Sequence, residues 1–217
     1  MSDLIEDRNR RLSAVLAAAP VVPVLTIDDR AHAVPLAKAL VAGGLTALEV
    51  TLRTAAAVDS IRAILAEVPG ANVGAGTVTS PDQYRAVEKL GVKFVVSPGA
   101  TPSLVSVASD SPVPYLPGVA TAGEAMTLYE AGYRTLKFFP AEQAGGVAYL
   151  RALAAPLPAI RFCPTGGVSV SNAAAYLALP NVICVGGSWV APAAALASGD
   201  WQVVTGLARA ATALKTV

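Results

Sequence analysis

The chain has 217 residues, enough for one large hydrophobic core, and no Pro-, Gly- or Ser-rich stretch divides it. Apolar residues make up 54% and charged residues only 14%, so much of the chain must be interior. A formal net charge of +1 without a basic stripe excludes nucleic-acid recognition, which needs cations to displace counterions from phosphates.

The first residues imitate a secretory leader: Arg8 to Arg11 precede Leu-Ser-Ala-Val-Leu-Ala-Ala-Ala-Pro. Asp3, Glu6 and Asp7 dilute that positive charge, and residues 21–27 are needed as the first strand. Residues 2–18 therefore read as a helix closing one end of the domain. No apolar run reaches membrane-spanning length without Pro, Gly or charge, so no membrane partner is expected.

From there, short apolar runs alternate with alanine-rich helical patterns. Strands are expected at 21–27, 47–52, 72–76, 94–97, 113–116, 135–139, 160–163 and 182–185. Helices are expected near 30–42, 55–67, 81–90, 102–109, 121–131, 146–154, 169–178 and 191–197, with a last one over 201–215. Ser80-Pro81, Thr101-Pro102 and Thr121 with Glu124 place capping hydroxyls before three of them. Gly43-Gly44, Gly70, Gly91 and Gly132 fall where helices should stop.

The strands are nearly continuous in Val, Ile, Leu and Phe, as expected when both faces are covered. Eight strand–helix units in one domain over 1–217 predict an α/β fold, a single (β/α)8 TIM barrel with an N-terminal capping helix. A doubly wound open sheet is the alternative, but no Gly-x-Gly-x-x-Gly loop follows the first strand.

Two charges break the pattern. Lys137, in Thr-Leu-Lys-Phe-Phe-Pro, and Glu49, in Ala-Leu-Glu-Val-Thr-Leu-Arg, stand inside strand-like runs where desolvation is costly. Of five lysines, Lys38, Lys89 and Lys215 lie on helical patterns and Lys93 sits at a strand entry. Strand parity puts Glu49, Thr51 and Arg53 on one side, and Thr135, Lys137 and Phe139 on one side, with Leu136 and Phe138 facing the helices. A lumen holding both charges is consistent with that parity. A buried amine whose pKa is lowered by desolvation and by nearby Arg53 could attack a ketone and form a Schiff base. Glu49 could move protons for it. The alternative is an ion pair with no chemistry. Replacing Lys137 is expected to abolish activity at little cost in stability.

Other candidates lie where barrel strands end. Arg53 offers a planar fork for a carboxylate, and Thr77 a hydroxyl. Thr165-Gly166-Gly167 and Gly186-Gly187-Ser188 follow the seventh and eighth strands, where such barrels commonly hold phosphate. Ser-Pro-Gly, with Pro98, and Leu-Pro-Gly would line the same mouth. Two cysteines and one histidine make a metal centre unexpected. Cys163 and Cys184 read as small buried residues of a reducing, cytoplasmic compartment.

Taken together these stretches resemble the KDPG/KHG (2-keto-3-deoxy-6-phosphogluconate) aldolase family. The matching motifs are Val-Val-Pro-Val-Leu, Ala-Gly-Gly-Leu, Leu-Glu-Val-Thr-Leu-Arg, Val-Gly-Ala-Gly-Thr-Val, Ser-Pro-Gly, Leu-Pro-Gly, Leu-Lys-Phe-Phe-Pro-Ala-Glu, Arg-Phe-Cys-Pro-Thr-Gly-Gly and Gly-Gly-Ser-Trp, in order. The resemblance implies a cofactor-free, metal-free class I aldolase of the Entner–Doudoroff route, splitting KDPG into pyruvate and D-glyceraldehyde 3-phosphate. It implies Lys137 as the Schiff-base lysine and Glu49 as the acid/base. Arg53 and Thr77 would contact the pyruvate carboxylate, with Pro98 and Phe139 also lining the substrate site. Thr165, Gly166, Gly167, Gly187 and Ser188 would hold the rest of the substrate and its phosphate. A homotrimer and activity on 4-hydroxy-2-oxoglutarate are further implications. A sugar-phosphate isomerase or epimerase and a non-catalytic sugar-phosphate sensor are the alternatives.

Overall fold

The computed structural model describes residues 2–214; the expected end of the last helix, with Lys215, lies outside them. Helix α1 (Ser2–Leu16) is followed by β1 (Val21–Leu25), a 3-10 turn (Arg30–His32) and α2 (Ala33–Ala42). Next come β2 (Ala47–Thr51), α3 (Ala57–Glu67), β3 (Asn72–Gly76), α4 (Pro81–Leu90), β4 (Phe94–Val96) and α5 (Pro102–Asp110). The fifth barrel strand is in two pieces, β5 (Tyr115–Leu116) and β6 (Gly118–Val119), followed by α6 (Ala122–Glu130), β7 (Thr135–Phe138) and α7 (Gly146–Ala154). The chain continues through β8 (Arg161–Pro164), α8 (Ala173–Leu177), β9 (Val185–Gly187), α9 (Ala193–Ser198) and α10 (Trp201–Thr212).

Every strand pairing is parallel, in the order β5-β4-β3-β2-β1-β9 and β6-β7-β8. Bridges Phe162↔Val182 and Thr165↔Gly186 join β8 to the last strand, and the continuous chain at Pro117 joins the two sheets at the other seam. The result is the expected (β/α)8 barrel. Proline 117 has no N–H for the ladder, so it splits the fifth strand, while its carbonyl still accepts from the Lys137 amide at 2.9 Å. The last strand lies later than the expected 182–185. Its glycines, expected in the loop after the strand, are paired with β1 through Val22↔Gly186 and Pro23↔Gly187.

Three helix starts follow their sequence signals. Ser80 and Thr101 accept from the amides of Gln83 and Leu104, and Thr121 with Glu124 forms a reciprocal capping box. The helix expected over 169–178 shortens to α8, because Asn172 Oδ1 accepts from the Ser169 amide and holds residues 169–172 as a turn.

Two apolar layers surround the strands. The outer one lies between strands and helices, and Phe138 there stacks on Tyr149 of α7 at 5.6 Å. The inner one fills the lumen with Val22, Ala47, Phe94, Val96, Leu116, Cys163 and Cys184, plugged by Leu12 and Leu16 of α1. Burying each of these leucines contributes about 1.5–3 kcal/mol. Arg8, itself buried, fastens α1 by donating to the carbonyls of Ala108, Ser109 and Ser111, and Asn9 donates to Gly132 O at 2.9 Å. The N-terminal end of the barrel is thereby closed, which leaves the opposite end for chemistry.

A ladder of buried tyrosines, Tyr84, Tyr115 and Tyr133, packs edge to face at 5.7 Å per step. Burial pushes all three phenols up, Tyr133 to about 12. Because the folded-state values are raised, the stability they contribute is complete below the ordinary value of 10.0 and is lost as pH rises from there through the raised values. Thermal melts should therefore show Tm falling steeply above about pH 10, with the slope reduced in Tyr84→Phe; identical alkaline slopes for both proteins would contradict this account.

Candidate active site

The two strand charges meet. Lys137 of β7 and Glu49 of β2 each keep only 3% of their surface exposed, and Lys137 Nζ donates to Oε1 and Oε2 of Glu49 at 3.0 and 3.3 Å. Parity explains the meeting, since both residues point into the lumen from opposite arcs of the barrel. The ring of half-buried Phe139 lies 5.5 Å from Nζ, a weak cation–π contact.

Missing side chains make the room. A methyl group on Gly76 would collide with the Glu49 carboxylate, and one on Gly186 would collide with the Thr165 hydroxyl. Gly118, the register partner of Lys137, has the carbonyl of Pro98 packed where its Cβ would stand. Large polar groups thus alternate with glycines around this layer. Below it, Cys184 donates to Cys163 Sγ at 3.5 Å, and both thiols are free. That hydrogen bond and burial push the Cys184 thiol well up, so it serves as packing.

Arg53 and Thr77 form a second pair at the rim. Arg53 is exposed, and its Nε donates to Thr77 Oγ1 at 3.0 Å. Arg53 was expected beside the amine; its partner is Thr77, and the group against Lys137 is the Glu49 carboxylate. Thr77 holds φ 58°, the one non-glycine residue with positive φ among the described residues. A β-branched residue in that region is strained, and such strain commonly marks functional loops. The strained residue is the one whose hydroxyl accepts from Arg53.

The loops after β8 and β9 complete the rim. Thr165 is buried, with Oγ1 3.4 Å from Cys163 O. Gly166 and Gly167 hold φ 97° and 76°, conformations that suit glycine. Gly187 lies under the Trp189 ring, and Ser188 is exposed beyond it. Of the residues expected at the site, Lys137 and Glu49 meet in the lumen, Arg53 pairs with Thr77 at the rim, Phe139 lies near the amine, the Pro98 carbonyl packs on Gly118, and the glycine loops follow β8 and β9. Not foreseen were the steric roles of Gly76 and Gly118, whose only sequence signal was their place one strand away from a charge, and the buried Thr51, whose hydroxyl donates to Leu25 O at 2.9 Å.

A buried amine and carboxylate in contact in the lumen, with an arginine–threonine pair at the rim, give this (β/α)8 barrel the groups that carbonyl chemistry needs. The KDPG and KHG aldolase family model matches residues 12–207. A 2-dehydro-3-deoxy-phosphogluconate aldolase of Pseudomonas aeruginosa is 52% identical, covering 95% of this chain and 94% of its own. The KHG/KDPG aldolase of Escherichia coli K12 is 52% identical over 94% of this chain and 97% of its own. A crystal structure of KDPG aldolase from Legionella pneumophila, with pyruvate captured as a covalent carbinolamine intermediate, superposes with a TM-score of 0.91 at 44% identity, covering 93% and 98% of the two chains. The chain belongs to the KDPG and KHG aldolase family.

The ion pair revises the stability expectation for Lys137. Removing the lysine leaves a buried carboxylate unpaired, which costs about 3–5 kcal/mol. Lys137→Met should lower Tm by several degrees and adding Glu49→Gln should recover most of it; additive losses in the double variant would mean that the two groups are not coupled.

Proposed function

We propose that this protein is a class I aldolase that reversibly cleaves 2-dehydro-3-deoxy-6-phosphogluconate to pyruvate and D-glyceraldehyde 3-phosphate, and that it also accepts 4-hydroxy-2-oxoglutarate. The buried Lys137–Glu49 contact of 3.0 Å carries this reading. A lysine that passes its proton to the adjacent carboxylate becomes a nucleophile without leaving the lumen. Its Nζ attacks the C2 carbonyl, and loss of water from the carbinolamine gives a protonated imine. Removal of the C4 hydroxyl proton then breaks the C3–C4 bond. The aldehyde leaves, and the bonding pair passes into the imine as an enamine. Protonation at C3 and hydrolysis release pyruvate and restore the amine. Glu49, the one side chain among the described residues that accepts from Nζ, moves these protons directly or through a water.

Substrate placement follows the rim. The Arg53 fork, braced by Thr77, takes the carboxylate adjacent to the carbonyl. Pro98 and Phe139 flank the reacting carbons. Thr165, Gly166, Gly167, Gly187 and Ser188 hold the far hydroxyls and the phosphate, the glycines offering backbone amides to the anion. The Zymomonas mobilis aldolase solved with 3-phosphoglycerate, similar at 46% identity and a TM-score of 0.91 over 96% of this chain and 98% of its own, supports a phosphorylated three-carbon unit in such a site.

The wider reading is a cytoplasmic homotrimer in which residues 1–217 work as one catalytic domain. An apolar groove between α5 and α6 that includes Val105 and Leu128 supplies a face for a second copy. Light scattering should give the mass of three chains; a monomer would remove the trimer from the proposal.

Purified protein should release pyruvate from 2-dehydro-3-deoxy-6-phosphogluconate. Lys137→Ala should release none, and Glu49→Gln should keep the fold but lose about 10²- to 10⁴-fold in kcat. Pyruvate release by the lysine variant, or unchanged turnover by Glu49→Gln, would overturn the assigned roles.

A further inference from the structure

Outside the lumen, one fully buried tyrosine is aimed at the loop that follows β8. Tyr176 of α8 donates its hydroxyl to Oε1 of Glu142, a residue of the turn after β7. Glu142 is itself fixed at its backbone: its amide donates to Gly166 O at 3.1 Å, and the amide of Ala141 donates to Thr165 O at 2.8 Å. The stem of Glu142 then covers Gly167, where an added Cβ would lie 2.7 Å from Glu142 Cβ and 2.6 Å from its Cγ. From the other side, Asn172 Nδ2 donates to Gly167 O at 3.1 Å. The carbonyls of Gly166 and Gly167 are therefore tied down. Among the described residues, neither of their amides has an acceptor within the fold.

We infer that Glu142 and Tyr176 are a positioning pair that sets the Gly166 and Gly167 amides for the phosphoryl group of the substrate. The inference rests on the proposed function, because it takes a phosphorylated keto acid as the ligand of that loop. Neither residue is assigned a contact with the reacting carbons. A free carboxylate beside an incoming phosphate would repel it and could turn to bind the glycine amides itself. The tyrosine prevents both by holding one oxygen of Glu142 against the start of α7, where Gly146 leaves space: a Cβ there would lie 3.4 Å from the Tyr176 hydroxyl and 3.5 Å from Glu142 Oε1. Burial first, and the bond to Glu142 second, push the Tyr176 hydroxyl up, so it stays a neutral donor across the working pH range.

The test compares a phosphorylated substrate with one lacking the phosphate. For Tyr176→Phe, KM for 2-dehydro-3-deoxy-6-phosphogluconate should rise about tenfold, the loss of one charge-assisted hydrogen bond, with kcat nearly unchanged. Its kinetics on 4-hydroxy-2-oxoglutarate, which has no phosphate, should match the unsubstituted protein. Glu142→Ala should reproduce the split, and Glu142→Gln, which keeps an acceptor for the tyrosine, should largely restore KM. Equal losses on both substrates would assign the pair a merely structural role and overturn the inference, as would unchanged KM in both Tyr176→Phe and Glu142→Ala. If the unsubstituted protein cleaves neither substrate, the proposed function fails first, and this inference with it.

Discussion

The contact between Lys137 and Glu49 constrains the rest of the molecule. Two opposite charges about 3 Å apart attract by about 5 kcal/mol at an effective dielectric near 20, while withdrawing each from water costs several kcal/mol. The terms nearly cancel, so the pair contributes little to stability that a well-packed leucine and methionine could not supply. It is a demanding thing to build for chemistry and a poor one for folding. The barrel accommodates it by giving glycine to neighbouring strands at the same height, so that the long polar side chains lie inside without distorting the ladder.

Placement of the pair also explains the closed end of the barrel. With Leu12 and Leu16 inserted from α1, and Cys163 and Cys184 packed in the lumen, the amine is sealed from one side and reached only from the other. The apolar plug and the buried thiols are thus parts of one device. The rim groups, Arg53 with Thr77 and the glycine loops after β8 and β9, stand where a ligand entering from the open end must pass.

The sequence made the most expensive features the most readable. Lys137 and Glu49 stood out because a charge inside an apolar strand has few harmless explanations, and period-two parity then pointed both inward. Arg53 and Thr77 were readable as residues after strand ends, but not as a bonded pair, because their contact joins side chains 24 positions apart across neighbouring strands. The fifth and last strands were misplaced for related reasons. Pro117 and Gly186-Gly187 carry local turn preferences, and tertiary pairing overrides them where the lumen needs a missing side chain. The link from Tyr176 to Glu142 spans 34 positions and leaves no local trace in either segment.

Covalent capture tests the central claim most directly. Protein incubated with pyruvate and reduced with borohydride should carry a single stable adduct, and peptide mapping by mass spectrometry should place it on Lys137. Reduction that leaves Lys137 unmodified in folded protein, or that labels another lysine equally, would contradict an imine formed in the barrel lumen.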